Sequence, residues 1–175
     1  MRISSKILAP ALLVAFAFAG LAGCAHYHLG AAGPLPFHKL YVSVAQNRSN
    51  AAQAQAPVTS MLRQSLLQEG NLQLTEQADA DATLEVVLTD YERLAAATQQ
   101  GNSLNAQSYT LTLTANCSLV DNRSGKVYFK NRAIDASQVA YVQSGDNFSE
   151  SEYQTMPKLA RDLAQKIKDE VVGTW

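Results

Sequence analysis

Few side chains in this 175-residue chain are grouped in a way that could do chemistry. The three histidines are His26, His28 and His38. His26 and His28 could share a metal across one intervening residue, but no carboxylate lies nearby to complete a site. No serine occupies a Gly-x-Ser-x-Gly elbow, and no glycine-rich loop could cradle a phosphate. Asp79 and Asp81 read as turn residues rather than as a catalytic pair. The expectation is a protein without catalytic residues, metal or cofactor. Two other features stand out. Arg123, Lys126, Lys130 and Arg132 cluster around a turn and the strand after it, and alternation puts Lys126, Lys130 and Arg132 on one side. Cations presented together can receive phosphates or carboxylates. They can equally protect a solvated edge strand. In contrast, no charged residue occurs from Leu94 to Val120. Residues 95–106 within that run read as an uncharged polar loop, either enclosed by a partner or flexible in solvent.

The two cysteines have separate roles. Arg2 and Lys6 precede an apolar run from Ile7 to Ala19, and Leu21-Ala22-Gly23-Cys24 closes it. This is a secretory signal, too short to span a bilayer, that ends in a lipobox. The expected processing removes residues 1–23 and acylates Cys24, whose lipid chains contribute ~0.8 kcal/mol per buried methylene. Ala25, where an aspartate would favour inner-membrane retention, points to the outer membrane and its periplasmic side. Residues 24–36, with Gly30, Gly33, Pro34 and Pro36, read as a lipidated tether, and 37–175 as one domain. Cys117 falls in phase with Tyr109, Leu111, Leu113 and Leu119, as a buried small residue would; the other reading is an intermolecular disulfide.

Loss of the leader also removes Arg2 and Lys6, leaving twelve basic against fifteen acidic residues, a formal charge of −3. That argues against a nucleic-acid partner. The periodicities place the remaining elements. Lys39 to Ala45 reads as a strand with Leu40, Val42 and Val44 on one face, followed by a polar loop from Gln46 to Gln55. Pro57 suits the first turn of a helix that carries Val58, Met61, Leu62 and Leu66 to Gln68, with Gly70 as its stop. Leu72 and Leu74 suggest a brief strand, and Thr83 to Arg93 alternates. Residues 107–120 give the clearest period of two, and Asp121 to Gly125 is a hairpin turn. The returning strand carries Val127 and Phe129 and loses register from Asn131 to Ala136, as at a bulge. Ser149 and Glu152 fit a capping box, and the last helix starts or kinks at Pro157. Its apolar positions are Leu159, Leu163, Ile167 and Val171. The expected fold is α+β, with two helices on one face of a four-stranded, mostly antiparallel sheet. That sheet is mixed if a helical crossover lays the first strand beside a later one.

This order resembles the LptE family of lipopolysaccharide-assembly lipoproteins. The resemblance rests on Cys24-Ala25-His26-Tyr27-His28-Leu29-Gly30, the strand Leu40-Tyr41-Val42-Ser43-Val44, and the helix ending at Glu69-Gly70. Ala80-Asp81-Ala82-Thr83-Leu84, the strand from Tyr109 to Leu119 and the terminal helix extend it. The resemblance implies a non-catalytic plug and assembly factor inside the outer-membrane barrel LptD, with lipopolysaccharide as ligand. It also implies lipopolysaccharide-binding basic loop residues. The loop before the Tyr109 strand has none here, which leaves Arg123, Lys126, Lys130 and Arg132 as the candidates. The start departs too, with His26 where family members often carry a glycine. A second reading is an outer-membrane lipoprotein that regulates a periplasmic cell-wall enzyme. The tether of about a dozen residues is short for that task.

Overall fold

The computed structural model describes residues 35–99, 102–142 and 148–173. In chain order the elements are β1 (Lys39–Val42), β2 (Gln46–Asn47), α1 (Gln55–Leu67), β3 (Gln73–Leu74), β4 (Ala82–Gln99), β5 (Asn102–Asp121), β6 (Val127–Tyr141) and α2 (Phe148–Gly173). The sheet order is β3-β1-β4-β5-β6, with β2 also paired to β4. The β1, β2 and β3 pairings are parallel. Those joining β4, β5 and β6 are antiparallel. The α+β class and the two helices are as expected. Among the described residues the sheet has six strands rather than four, and it is mixed as the crossover condition required, because after α1 both β3 and β4 lie parallel beside β1. Of the two beyond that count, β3 is the brief strand that Leu72 and Leu74 suggest, and β2, two residues long, is too short to show a period.

β1 and β2 are one interrupted strand along the same side of β4. The Ser43 amide donates to the Leu84 carbonyl at 3.1 Å and the Arg48 amide to that of Leu88 at 2.8 Å. Between them the chain changes phase, so Ala45 is buried while Val44, expected inward, is 55% exposed. The Ala45 amide is satisfied by Thr59 Oγ1 of α1 at 3.1 Å.

Both helices cover one face. Val58, Leu62 and Leu66 of α1 join Met156, Leu159, Leu163, Ile167 and Val171 of α2 over Leu84, Val86, Leu88, Leu111, Leu113, Ala115, Cys117 and Leu119. Packing begins at Leu35 and Phe37, whose ring lies 5.7 Å from that of Tyr128. The other face carries Thr110, Thr112, Thr114, Asn116 and Ser118, all partly open. β-branched threonine suits such a solvated face.

Two bulges set which side chains face the helices. Strict alternation from Leu84 would drive Asp90 inward. A register shift between Leu88 and Asp90 instead puts Tyr91 opposite Leu113 and Asp90 opposite Thr114. In β6, two residues separate Phe129 from Arg132 while one separates Leu119 from Cys117. Asn131 absorbs the extra residue at φ 50°, which asparagine tolerates better than most, and its amide reaches Ser118 Oγ at 3.0 Å.

Candidate interaction surfaces

The basic cluster is divided by the second bulge. Phe129 faces the core, so Lys130 lies on the open side, but Arg132 falls opposite Cys117 and turns toward α2. There it ion-pairs with Glu170 and lies over the Phe129 ring, 5.4 Å from its centroid. Lys126, Lys130 and Arg132 therefore do not share one side. Lys126 Nζ lies 5.0 Å from the Tyr128 ring centroid, and Arg123 ion-pairs with Asp81. The turn that holds Arg123 is built by Asp121, whose Oδ1 accepts the amides of Arg123 at 2.9 Å and Ser124 at 2.7 Å. Gly125 completes it at φ 70°, a conformation that disfavours any side chain.

Asp81 proves to be a joint rather than only a turn residue. Its Oδ2 accepts the amides of Lys39 at 3.0 Å and His38 at 3.1 Å. These donors, that of Lys39 foremost, together with Arg123, outweigh burial and hold the carboxyl below its ordinary 3.8. Asp121 is also held low, mainly by the Ser124 amide. His38 Nδ1 lies 3.3 Å from the Asn71 carbonyl. Cys24, His26, His28 and the rest of the tether up to Pro34 lie outside the described residues. Cys117 is fully buried as a free thiol, which burial pushes up to about 12, so it is poorly placed for a disulfide.

Within the uncharged segment 95–106, residues 95–99 and 102–106 are strand rather than loop. β4 and β5 stay paired from Ala82↔Asp121 to Gln99↔Asn102, with irregular register beyond Ala95. The ribbon extends the sheet at the end opposite the turn 121–125, and both Ala95 and Ala96 are exposed. At its base, register places Leu94, Thr110 and Val139 in one row across β4, β5 and β6 on the open face. Tyr141 lies beside that row, and Leu94 and Tyr141 are 61% and 71% exposed.

A polar cluster fixes α2 to the base of this ribbon. Glu152 is buried, and its Oε1 accepts the Tyr91 hydroxyl at 2.7 Å and lies 3.2 Å from Arg93 Nε. The Arg93 guanidinium lies near the rings of Tyr91 and Phe148, which itself packs 4.3 Å from Tyr109. Burial, followed by the Glu152 carboxylate, pushes the Tyr91 hydroxyl well above its ordinary value. The expected Ser149–Glu152 capping box gives way to this contact, because α2 begins at Phe148 and Glu152 points into the sheet. Pro157 lies inside α2 and does not start it. The clue was a carboxylate seven residues before Leu159, on the same stripe. Elsewhere, a shallow groove of about 850 Å³ follows the outer side of α1 between Val44, Thr59, Arg63 and Leu67.

The described residues form a two-layer α+β domain with one bare sheet face, a long neutral ribbon and buried titratable groups tied up in structure. The family model described as LptE, lipopolysaccharide-assembly, matches residues 37–171, and the chain belongs to that family. No curated protein matches it. Among solved structures it is similar to a protein from Xanthomonas campestris, with 13% identity, coverage of 83% of this chain and 89% of that one, and a TM-score of 0.56. A hypothetical protein from Chlamydia trachomatis has 11% identity, coverage of 77% and 98%, and a TM-score of 0.52. A minor lipoprotein from Acinetobacter baumannii has 18% identity, coverage of 79% and 93%, and a TM-score of 0.51. At these identities the likeness is one of fold.

Proposed function

We propose that the chain is a non-catalytic outer-membrane lipoprotein that plugs and helps assemble an LptD-like barrel in lipopolysaccharide transport. In this reading residues 1–23 are a cleaved leader, Cys24 carries the lipid and the tether leads to the domain from the periplasmic side. The observation that carries it, beside family membership, is the length and direction of the β4–β5 ribbon. The chain enters the fold at Leu35 and Phe37, beside Tyr128 and the turn 121–125. β4 then runs 18 residues away from that end and β5 returns over 20. At about 3.3 Å per residue β4 extends about 60 Å, more than the roughly 40–45 Å of a whole bilayer. A domain anchored at the periplasmic leaflet and oriented inward could thus cross the membrane inside a barrel. A ribbon without charge from Leu94 to Val120 suits an enclosed position.

The test is purification of the tagged full-length protein from outer membranes in mild detergent, combined with depletion in cells. Stoichiometric recovery of a large β-barrel, and loss of assembled barrel and surface lipopolysaccharide on depletion, are expected. Normal barrel levels after depletion would sink the reading. Recovery of a cell-wall synthase or hydrolase without a barrel would replace it with the regulator.

A further inference from the structure

We propose that the outer edge of β6 between Asp135 and Tyr141 accepts an extended, uncharged loop or terminal segment of the barrel partner as an added strand. This deepens the plug reading and rests on it. Among the described residues β6 is the last strand on its side of the sheet. Its pairing with β5 is unbroken from Thr114↔Asp135 to Ser108↔Tyr141. Lys166 Nζ donates to the Asp135 carbonyl at 2.7 Å, which marks that carbonyl as turned away from β5. In a regular strand, residues two apart share backbone direction as well as side-chain face. Ser137, Val139 and Tyr141 therefore also present N–H and C=O groups outward.

The two halves of this edge are treated differently. Near the turn it is defended by Lys130, the Asn131 bulge and Arg132, and Lys166 caps it at Asp135. From Ala136 to Tyr141 it has no charge and no proline, and its pairing is without a bulge. An undefended edge of that kind is a template for strand addition. The occupant's chemistry follows from the two faces. On the open face an added strand would meet Val139 and Tyr141, with Leu94 two strands further in, so alternate residues should be apolar. On the other face it would meet the flank of α2 at Asp162, which Gln138 contacts, and at Lys166, so the intervening residues should be polar. A closed barrel's wall strands have no free edge, so the segment comes from a loop or a terminus. A second copy paired antiparallel about Gln138 would bring two α2 flanks together and set the two Asp162 carboxylates, each beside its own Gln138, against one another.

A photo-cross-linking residue at position 141 of the full-length chain, with position 127 as control, tests this in cells. The expected adduct joins position 141 to the barrel and is absent from position 127. Val139→Pro removes an outward donor that β5 does not use, so the sheet should persist while the adduct falls at least tenfold. Where Val139→Pro fails to accumulate, Val139→Lys should give the same loss by charging the open edge. Adducts only to a second copy, no adduct, or an adduct insensitive to both variants overturns the proposal. Barrel co-purification with the unmodified chain separates the two claims. A barrel present with a silent position 141 removes only the edge, and a barrel absent removes the plug reading and the edge together.

Discussion

The two faces of β5 are built from alternating residues of the same strand, yet they carry different information. Leu111, Leu113, Ala115, Cys117 and Leu119 are fully buried under the helices, whereas Thr110, Thr112, Thr114 and Asn116 remain half-open. The first set fixes register, because a one-residue slip would expose all of it. The second set is free of that constraint, and its neighbours Leu94, Val139 and Tyr141 form the apolar margin that the fold itself does not need. Truncation should separate the faces sharply. Leu113→Ala should cost about 2–5 kcal/mol by chemical denaturation, through lost burial and the cavity left behind. Thr112→Ala, which loses only an exposed hydroxyl contact with Ser137, should cost no more than about 0.5 kcal/mol. Equal losses at the two sites would mean that the open face is covered in the isolated protein.

The next largest effect is expected where a polar group breaks the apolar side of the comparison. Glu152 is buried and satisfies Tyr91 and Arg93 at once. Glu152→Ala should cost about 1–3 kcal/mol because the Tyr91 hydroxyl is left without its partner. Glu152→Gln keeps an acceptor and should recover part of that loss. Hydrogen exchange in β4 and the first turns of α2 would show whether the ribbon base loosens with it. Unchanged protection there would mean that Glu152 does not tie the helix to the ribbon.

This contrast also explains how far the fold could be read in advance. The period-two run of β5 and the stripe Leu159, Leu163, Ile167, Val171 were legible because burial of one face imposes a period. β3 was legible only as a brief strand from Leu72 and Leu74, and β2, two residues long, was too short for any period, so the sheet among the described residues has six strands instead of four. The ribbon was hidden for a different reason: neither face of residues 95–106 alternates in polarity, so its strand character comes from pairing alone. The basic cluster was misread geometrically because one inserted residue at Asn131 moved Arg132 to the helix side. The register loss was visible in the sequence, but its consequence for side-chain direction was not. The Ser149–Glu152 spacing matched a local cap, and a tertiary partner, Tyr91, took the carboxylate instead.

A smaller effect should appear as pH dependence at the end where the chain enters. Asp81 is held below its ordinary 3.8, first by the Lys39 amide, so the native state binds its proton less readily than the unfolded chain. Its contribution is complete above the unfolded value and is lost as pH falls through the lowered native value. Asp121 acts in the same sense. Acid titrations of stability should therefore show a decline that begins near pH 4 and continues below it, and Asp81→Asn should flatten that decline. An unchanged acid profile in Asp81→Asn would assign the transition to other carboxylates.

The smallest effect on stability is expected on the open face itself, where it is the most informative. Leu94 is 61% exposed and lies in the row with Thr110 and Val139. Leu94→Lys gives up little burial and keeps a side chain that can reach water, so stability should shift by no more than about 0.5 kcal/mol. The same change puts a positive charge at the margin of a ribbon that otherwise has none up to Val120. If that surface is enclosed by a partner, recovery of the partner should fall although the melting curve barely moves. If recovery and melting are both unchanged, the neutrality of the ribbon is a property of a solvated hairpin. A large drop in stability would instead show that Leu94 belongs to the core, and the division between the two faces would have to be redrawn at β4.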